Sequence, residues 1–194
     1  MGRVKIFVES KALEQAMRLF WLQGYANTSI KQLLTEMDML NGSFYHCFKD
    51  KKTVFLKSLE HYNQQVTSRR FAALGRHDDF SLGIRDFFAD IFETIESKDE
   101  PNGCLIVNSM VAEVLCEEEL KTYLYHAHEL YVQSLADKLQ DSIDLKHTSL
   151  QLPAKQVAFI LATYIQGLFG ISRASVSIDQ LKAQTEDFLL ALKL

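Results

Sequence analysis

Proline is nearly missing from this 194-residue chain, which holds only Pro101 and Pro153. With so few helix breakers, apolar residues recur at three- and four-residue steps almost throughout, the period of an α-helix. Cysteine is scarce too. Cys47, Cys104 and Cys116 are odd in number and irregular in spacing, which excludes a disulfide framework and leaves buried or reactive thiols. Long apolar runs are also lacking. No stretch approaches eighteen uninterrupted apolar residues, and the opening MGRVKIFVESKALEQ has no signal-peptide core. The expectation is therefore a soluble, cytoplasmic chain with no membrane partner, in which the glycosylation sequons NTS and NGS carry no meaning. What is plentiful is apolar side chain, 47% of the residues, ample for the core of one large domain or two small ones.

The net charge of −4 argues on its face against a nucleic-acid partner, but it hides an asymmetry. Residues 1–58 hold nine Lys or Arg and five Asp or Glu, a balance of +4, while the other 136 residues carry twelve basic and twenty acidic side chains, a balance of −8. Two parts of such opposite sign serve different partners.

The pattern predicts an all-α chain of about nine helices. A first helix runs from about Val8 to Gln23, with Leu13, Ala16, Met17, Phe20 and Trp21 on one stripe and Gly24 as its stop. Thr28 or Ser29 caps a short second helix, SIKQLLTEM, and DMLNG suits a tight turn before a third from about Asn41 to Phe48. Asp50 caps a fourth that reaches about Arg70. Ser81 caps an amphipathic helix bearing Ile84, Phe87, Phe88, Ile91 and Ile95, and Lys98 to Asn102 breaks it. An apolar helix over Gly103 to Leu115 follows, then a long one from Glu117 to Ser142 with three glutamates in its first turn, where the helix dipole favours them. Pro153 opens a helix that is apolar nearly all round through Ile171, and Asp179 begins the last.

Three short amino-terminal helices with a turn of about four residues between the second and third form the helix-turn-helix pattern, whose last helix enters the major groove of DNA. The run ALEQAMRLFWLQGYANTSIKQLLTEMDMLNGSFYHCFKDKKTVFLKSL resembles the TetR family of transcriptional repressors in its Gly-Tyr, Thr-Ser-Ile, Gly-Ser-Phe-Tyr, Phe, Lys and Lys positions. The likeness covers about the first 58 residues, and PNGCLIVNSMVAEV resembles a segment of one broad group of members. It implies a TetR-like fold, with a helix-turn-helix DNA-binding domain at 1–50 and a larger helical ligand-binding and dimerisation domain at 51–194. It further implies that Ser29, Tyr45 and Lys51 hold operator phosphates, as hydroxyls, a lysine and a helix amino terminus can. Lys31 with Asn41, Gly42 and Ser43 are the candidates for reading bases, and His46 joins this DNA-facing set, while Phe44 and Phe48 pack inward.

Three positions depart from the family pattern. Asp38 stands where the turn usually has glycine, and aspartate is among the few residues that tolerate the left-handed conformation. Leu40 replaces a usual Ser, Thr or Pro, which removes a capping hydroxyl. Cys47 falls where His or Tyr commonly meets phosphate.

In the acidic part, Phe88, Phe92, Cys104, Met110, Tyr123, Phe159 and Tyr164 are candidates to line a pocket for a small-molecule effector, although each alone reads more readily as core. For Cys104, simple burial is the favoured reading, and the alternative is a thiolate stabilised by a helix start that reacts with electrophiles or oxidants. His126 and His128 lie roughly 200° apart on a helix and do not chelate one metal ion. No nucleophile, base and acid set and no phosphate-cradling loop occurs, so neither an enzyme nor a cofactor is expected. The segment AFILATYIQGLFGI has more apolar surface than one bundle covers, and Gly167 and Gly170 permit close approach. A second copy would cover that surface, and the resemblance implies a two-fold homodimer through the last two helices, mirrored in a palindromic double-stranded DNA operator. The competing reading is a small-molecule-binding or redox-sensing protein that keeps the helix-turn-helix as a structural remnant.

Overall fold

The computed structural model describes residues 2–97, 100–101, 103–174 and 176–194, with side chains from residue 9 onward. Among these residues there are eleven α-helical segments, one π-helical turn and no strand.

Helix α1 spans Gly2–Asn27, longer at its start than the stripe predicts, and Gly24 interrupts it with φ 81° and ψ 167°. That backbone lies where a side chain is disfavoured, so Gly24 ends the straight helix as expected. Helices α2 (Ile30–Glu36) and α3 (Asn41–Phe48) follow. The predicted fourth helix is divided: α4 covers Lys51–Tyr62, Asn63–Thr67 form a π turn, and α5 covers Ser68–Leu74. Asn63 donates from Nδ2 to the Tyr123 hydroxyl at 3.1 Å and accepts from Thr67 Oγ1 at 3.1 Å, side-chain bonds that hold the turn.

Helix α6 spans Phe80–Glu96 and is capped by Asp79, whose carboxylate accepts from the Ser81 amide at 2.8 Å; Ser81 itself lies inside the helix, contrary to its expected capping role. The break expected over Lys98 to Asn102 includes Lys98, Asp99 and Asn102, which lie outside the described residues. The single helix expected over Gly103 to Leu115 is two, α7 (Leu105–Asn108) and α8 (Ala112–Leu115). The Ser109 hydroxyl bonds back to the Leu105 carbonyl at 2.7 Å, and Val111 is extended, so the chain turns there. Leu105, Ile106 and Val114 are buried by the break, which outweighs the helical period. Helix α9 covers Glu118–Asp144, α10 Ala154–Ser172 and α11 Ile178–Leu192.

The chain forms two compact units. The first comprises Met1–Thr67 and Cys104–Leu124, the second Ser68–Gly103 and Tyr125–Leu194. In the first, α1 packs on α4, and α7 packs on both. Its core holds Phe20, Trp21, Leu33, Phe44, Phe48, Phe55 and Tyr62, with Phe20 and Phe55 edge to face at 4.9 Å and Trp21 and Tyr62 likewise. In the second, α5 lies so close to α6 that a Cβ at Gly83 would meet the Leu74 carbonyl oxygen. Buried Arg70 pairs with Asp90 at 3.2 Å beside Thr94 and faces the Phe169 ring at 5.1 Å. Helix α10 is long and apolar enough, by length and composition, to cross a membrane, yet Val157, Leu161, Ile165, Leu168 and Phe169 are buried in the core.

Candidate nucleic-acid interface

The amino-terminal helices are fixed by local bonds. Thr28 is buried and closes the Gly24 turn through its hydroxyl to the Gly24 carbonyl at 2.7 Å, which leaves Ser29 as the cap of α2. Ser29 Oγ accepts from the Gln32 amide at 3.2 Å while Gln32 Oε1 accepts from the Ser29 amide at 2.8 Å, a reciprocal capping box. The spacing Ser-x-x-Gln signals this box in the sequence. Asp38 has φ 51°, the left-handed conformation its place in the turn requires.

Helix α3 divides by face. Phe44 and Phe48 are buried, whereas Asn41, Gly42, Ser43 and His46 are exposed and Tyr45 is 47% exposed. Lys31 on α2 is exposed too, and Cys47 is half-buried. The predicted DNA residues of α3 therefore share its exposed side, set over two buried phenylalanine anchors. After it, Lys49 adopts φ 64° and ψ −55°, with the Asp50 amide bonded to the Phe48 carbonyl at 2.6 Å. This γ-turn is a strained conformation worth about 1–3 kcal/mol. It lets Phe48 stay in the core while Asp50 caps α4, the carboxylate accepting from the Thr53 amide at 2.7 Å and its hydroxyl at 2.8 Å. Those bonds hold the Asp50 carboxyl below the usual aspartate range.

Two lysines open α4. Lys51 lies over the Tyr25 ring, its ammonium 4.3 Å from the centroid, and partial burial lowers its pKa from the usual lysine value. Burial, with the Glu117 and Asp50 charges adding, raises Tyr25. Lys52 makes a 2.8 Å ion pair with Glu119 of α9, which raises its pKa above the ordinary lysine value. Nothing in the sequence flags that pair, because its members are 67 positions apart and meet only in the fold.

The predicted pocket residues are dispersed. Phe88 sits 6.5 Å from Phe92 and 6.1 Å from Tyr164, and Tyr164 stacks on Phe188 at 3.9 Å while its hydroxyl meets Thr185 at 2.9 Å. Phe188 was absent from the expected set. Phe159 is 56% exposed, edge-on to His128, whose Nδ1 meets Gln166 at 3.0 Å. In the first unit, Cys104 is buried at the start of four-residue α7, Met110 is half-buried, and burial raises the Tyr123 pKa. Elsewhere in the second unit an open groove of about 620 Å³ is lined by Gln140, Ile143, Lys146 and the loop from Thr148 to Ala154.

A capped short helix, a tight left-handed turn and a following helix with a polar, exposed face over buried aromatics define a helix-turn-helix DNA-binding protein. Residues 12–57 match the family model described as bacterial regulatory proteins, tetR family. The chain is 26% identical to the HTH-type transcriptional repressor ComR of Escherichia coli (strain K12) over 181 residues, covering 93% of this chain and 86% of that one. It is 25% identical over 135 residues to the HTH-type transcriptional repressor DhaR of Mycobacterium sp. (strain GP1), covering 65% of this chain and 62% of that relative. Among solved structures, a cysteine mutant of the TetR family regulator CifR, complexed with 26-bp double-strand operator DNA, superposes with TM-score 0.87 at 23% identity over 94% of this chain and 95% of that one. The reduced form of E. coli NemR does so with TM-score 0.80 at 18% identity, covering 91% and 92%. Residues 12–57 thus match the tetR family of bacterial regulatory proteins, and over most of its length the chain is similar to TetR-family DNA-binding transcriptional regulators.

Proposed function

We propose that this regulator is a cytoplasmic, homodimeric repressor that binds a palindromic operator through residues 1–50 and leaves it when a small molecule acts on residues 51–194. The observation that carries the DNA half is the face of α3, where Asn41, Gly42, Ser43, Tyr45 and His46 are exposed together above buried Phe44 and Phe48. In this reading Ser29, Tyr45 and Lys51 grip phosphates, while Lys31, Asn41, Gly42 and Ser43 meet base edges. CifR in complex with operator DNA and the repressors ComR and DhaR favour the same reading.

Dimerisation is supported by one side of α10 and α11. Phe159, Thr163, Gly167, Gly170 and Ile171 are exposed along α10, a Cβ at either glycine would meet open space, and Ala183, Leu190 and Ala191 are exposed on α11. This largely apolar face, in which Thr163 and Asp187 are polar, suits a two-fold copy of itself. For the effector, the aromatic cluster of Phe88, Phe92 and Tyr164, joined by Phe188, is apolar with hydroxyls at its edge, and because Phe88 and Phe92 are buried a ligand would enter by parting these rings. Ligand binding that favours a non-operator spacing of the two recognition helices shifts the population off DNA. An electrophile or oxidant acting at Cys104 is the alternative trigger. The four-residue length of α7 leaves little helix dipole to stabilise a thiolate there, so apolar occupancy of the aromatic cluster is the stronger form of the proposal.

The test is a Tyr45→Ala, Lys51→Ala double variant that remains folded and dimeric. Operator affinity at low salt should fall about 100-fold, the sum of two charge-assisted or hydroxyl bonds to phosphate, and the salt slope should flatten by about one. Binding as tight as the parent's sinks the reading.

A further inference from the structure

We infer that Leu40 is a specificity-determining residue that packs against the C5-methyl group of thymine in the major groove, an inference that rests on the DNA-binding reading above. Leu40 occupies the cap of α3 with φ −76° and ψ 148°, and its carbonyl accepts the first helical bond from the Phe44 amide at 3.0 Å. Its side chain makes no capping bond and is 80% exposed. Leucine is a poor choice for such a position on two counts. It has no oxygen for the open amides of the first turn, and it leaves a large apolar surface in water. Neither the core nor the cap explains it.

Its surroundings indicate what covers it. The next three residues, Asn41, Gly42 and Ser43, are exposed at the same end of α3, and a Cβ at Gly42 would meet nothing within 4 Å. Gly42 adds no side chain there, and Leu40 itself is open to a duplex seated on that end. Asp38 and Asn41 are exposed and polar and Met39 is half-buried, so Leu40 is the large exposed apolar side chain in a stretch that is otherwise polar where it meets water. Phosphate offers nothing to an isobutyl group. In the major groove the thymine methyl is the apolar feature that distinguishes one base, and a leucine at the leading end of a recognition helix reads it by contact.

The experiment uses the full-length dimer. Duplexes are enriched from a randomised pool, and each thymine of the tightest is then replaced singly by deoxyuridine, which removes only the methyl group. The expected result is about fourfold weaker binding by the parent at one or two positions in each half-site, the size of one buried carbon. Leu40→Ser should show no loss at those positions, whatever its overall affinity, and Leu40→Met should keep the loss. Deoxyuridine tolerated everywhere by the parent overturns the inference while leaving DNA binding intact. Equal losses in the parent and Leu40→Ser overturn it too, since they trace to DNA shape. A parent that enriches no duplex overturns both this inference and the function it rests on.

Discussion

The exposed face of α3 and the exposed face of α10 with α11 solve opposite problems. On α3 the large aromatics are inside and the outside is amide, hydroxyl, imidazole and phenol. On α10 and α11 a full core on one side leaves Phe159, Ile171 and, at 65% exposure, Leu190 outside, among glycines, alanines, Thr163 and Asp187. Both faces stand over buried apolar side chains, so the difference lies in the partner each face is chemically fit to meet. A polar face can exchange water for phosphate and base edges, whereas an apolar one gains only by excluding water against another apolar surface. Leu40 is the exception on the polar face.

The comparison breaks most severely if the apolar face is made charged. Gly167→Glu would bury an unpaired carboxylate in the proposed dimer, costing about 3–5 kcal/mol of association, and sedimentation at micromolar concentration should then show monomer where the parent is dimeric. Operator binding should fall with it. The second effect concerns packing in the second unit. Gly83→Ala pushes a methyl group into the rigid Leu74 carbonyl and should lower stability by about 1–3 kcal/mol in urea unfolding, whereas Gly42→Ala, in open space, should be nearly neutral.

Smaller still is the cap that holds the first unit's α4. Asp50→Ala should cost about 1 kcal/mol near neutral pH. Because hydrogen bonds from Thr53 depress the folded-state pKa of Asp50, its contribution is complete above the unfolded value of about 4 and fades as pH falls through the folded one. Parent and variant should therefore converge in urea midpoint as the solution is acidified below that range, and a gap unchanged by acid would assign the loss to something other than the carboxylate. The smallest effect sharpens the electrostatics of the DNA face. Glu119→Gln releases Lys52 from its partner, and operator affinity at low salt should rise about two- to threefold, a gain that vanishes in high salt.

Much of the first unit was legible because its determinants are local. Gly24, the left-handed Asp38, the Asp50 cap and the inward Phe44 and Phe48 each follow from a side chain and its near neighbours. The Ser29 box was equally local. Where the reading failed, a distant contact overrode a local signal: the helix over Gly103 to Leu115 split because burying Leu105, Ile106 and Val114 on α1 and α4 outweighs continuing the period. Likewise Asp79, with a carboxylate nearer the open amides, displaced Ser81 as the cap of α6.

The sequence by itself determined that this chain is helical, that its first 58 residues are basic against an acidic remainder, and that a helix-turn-helix opens it, because period, charge and capping chemistry are properties of residues close together. Only the tertiary structure decided that Lys52 is held by Glu119, that Tyr25 lies beneath Lys51, that Phe188 joins the aromatic cluster, and that Leu40 stands in water. Burial and pairing depend on which distant surfaces the chain brings together, and no short-range pattern encodes that.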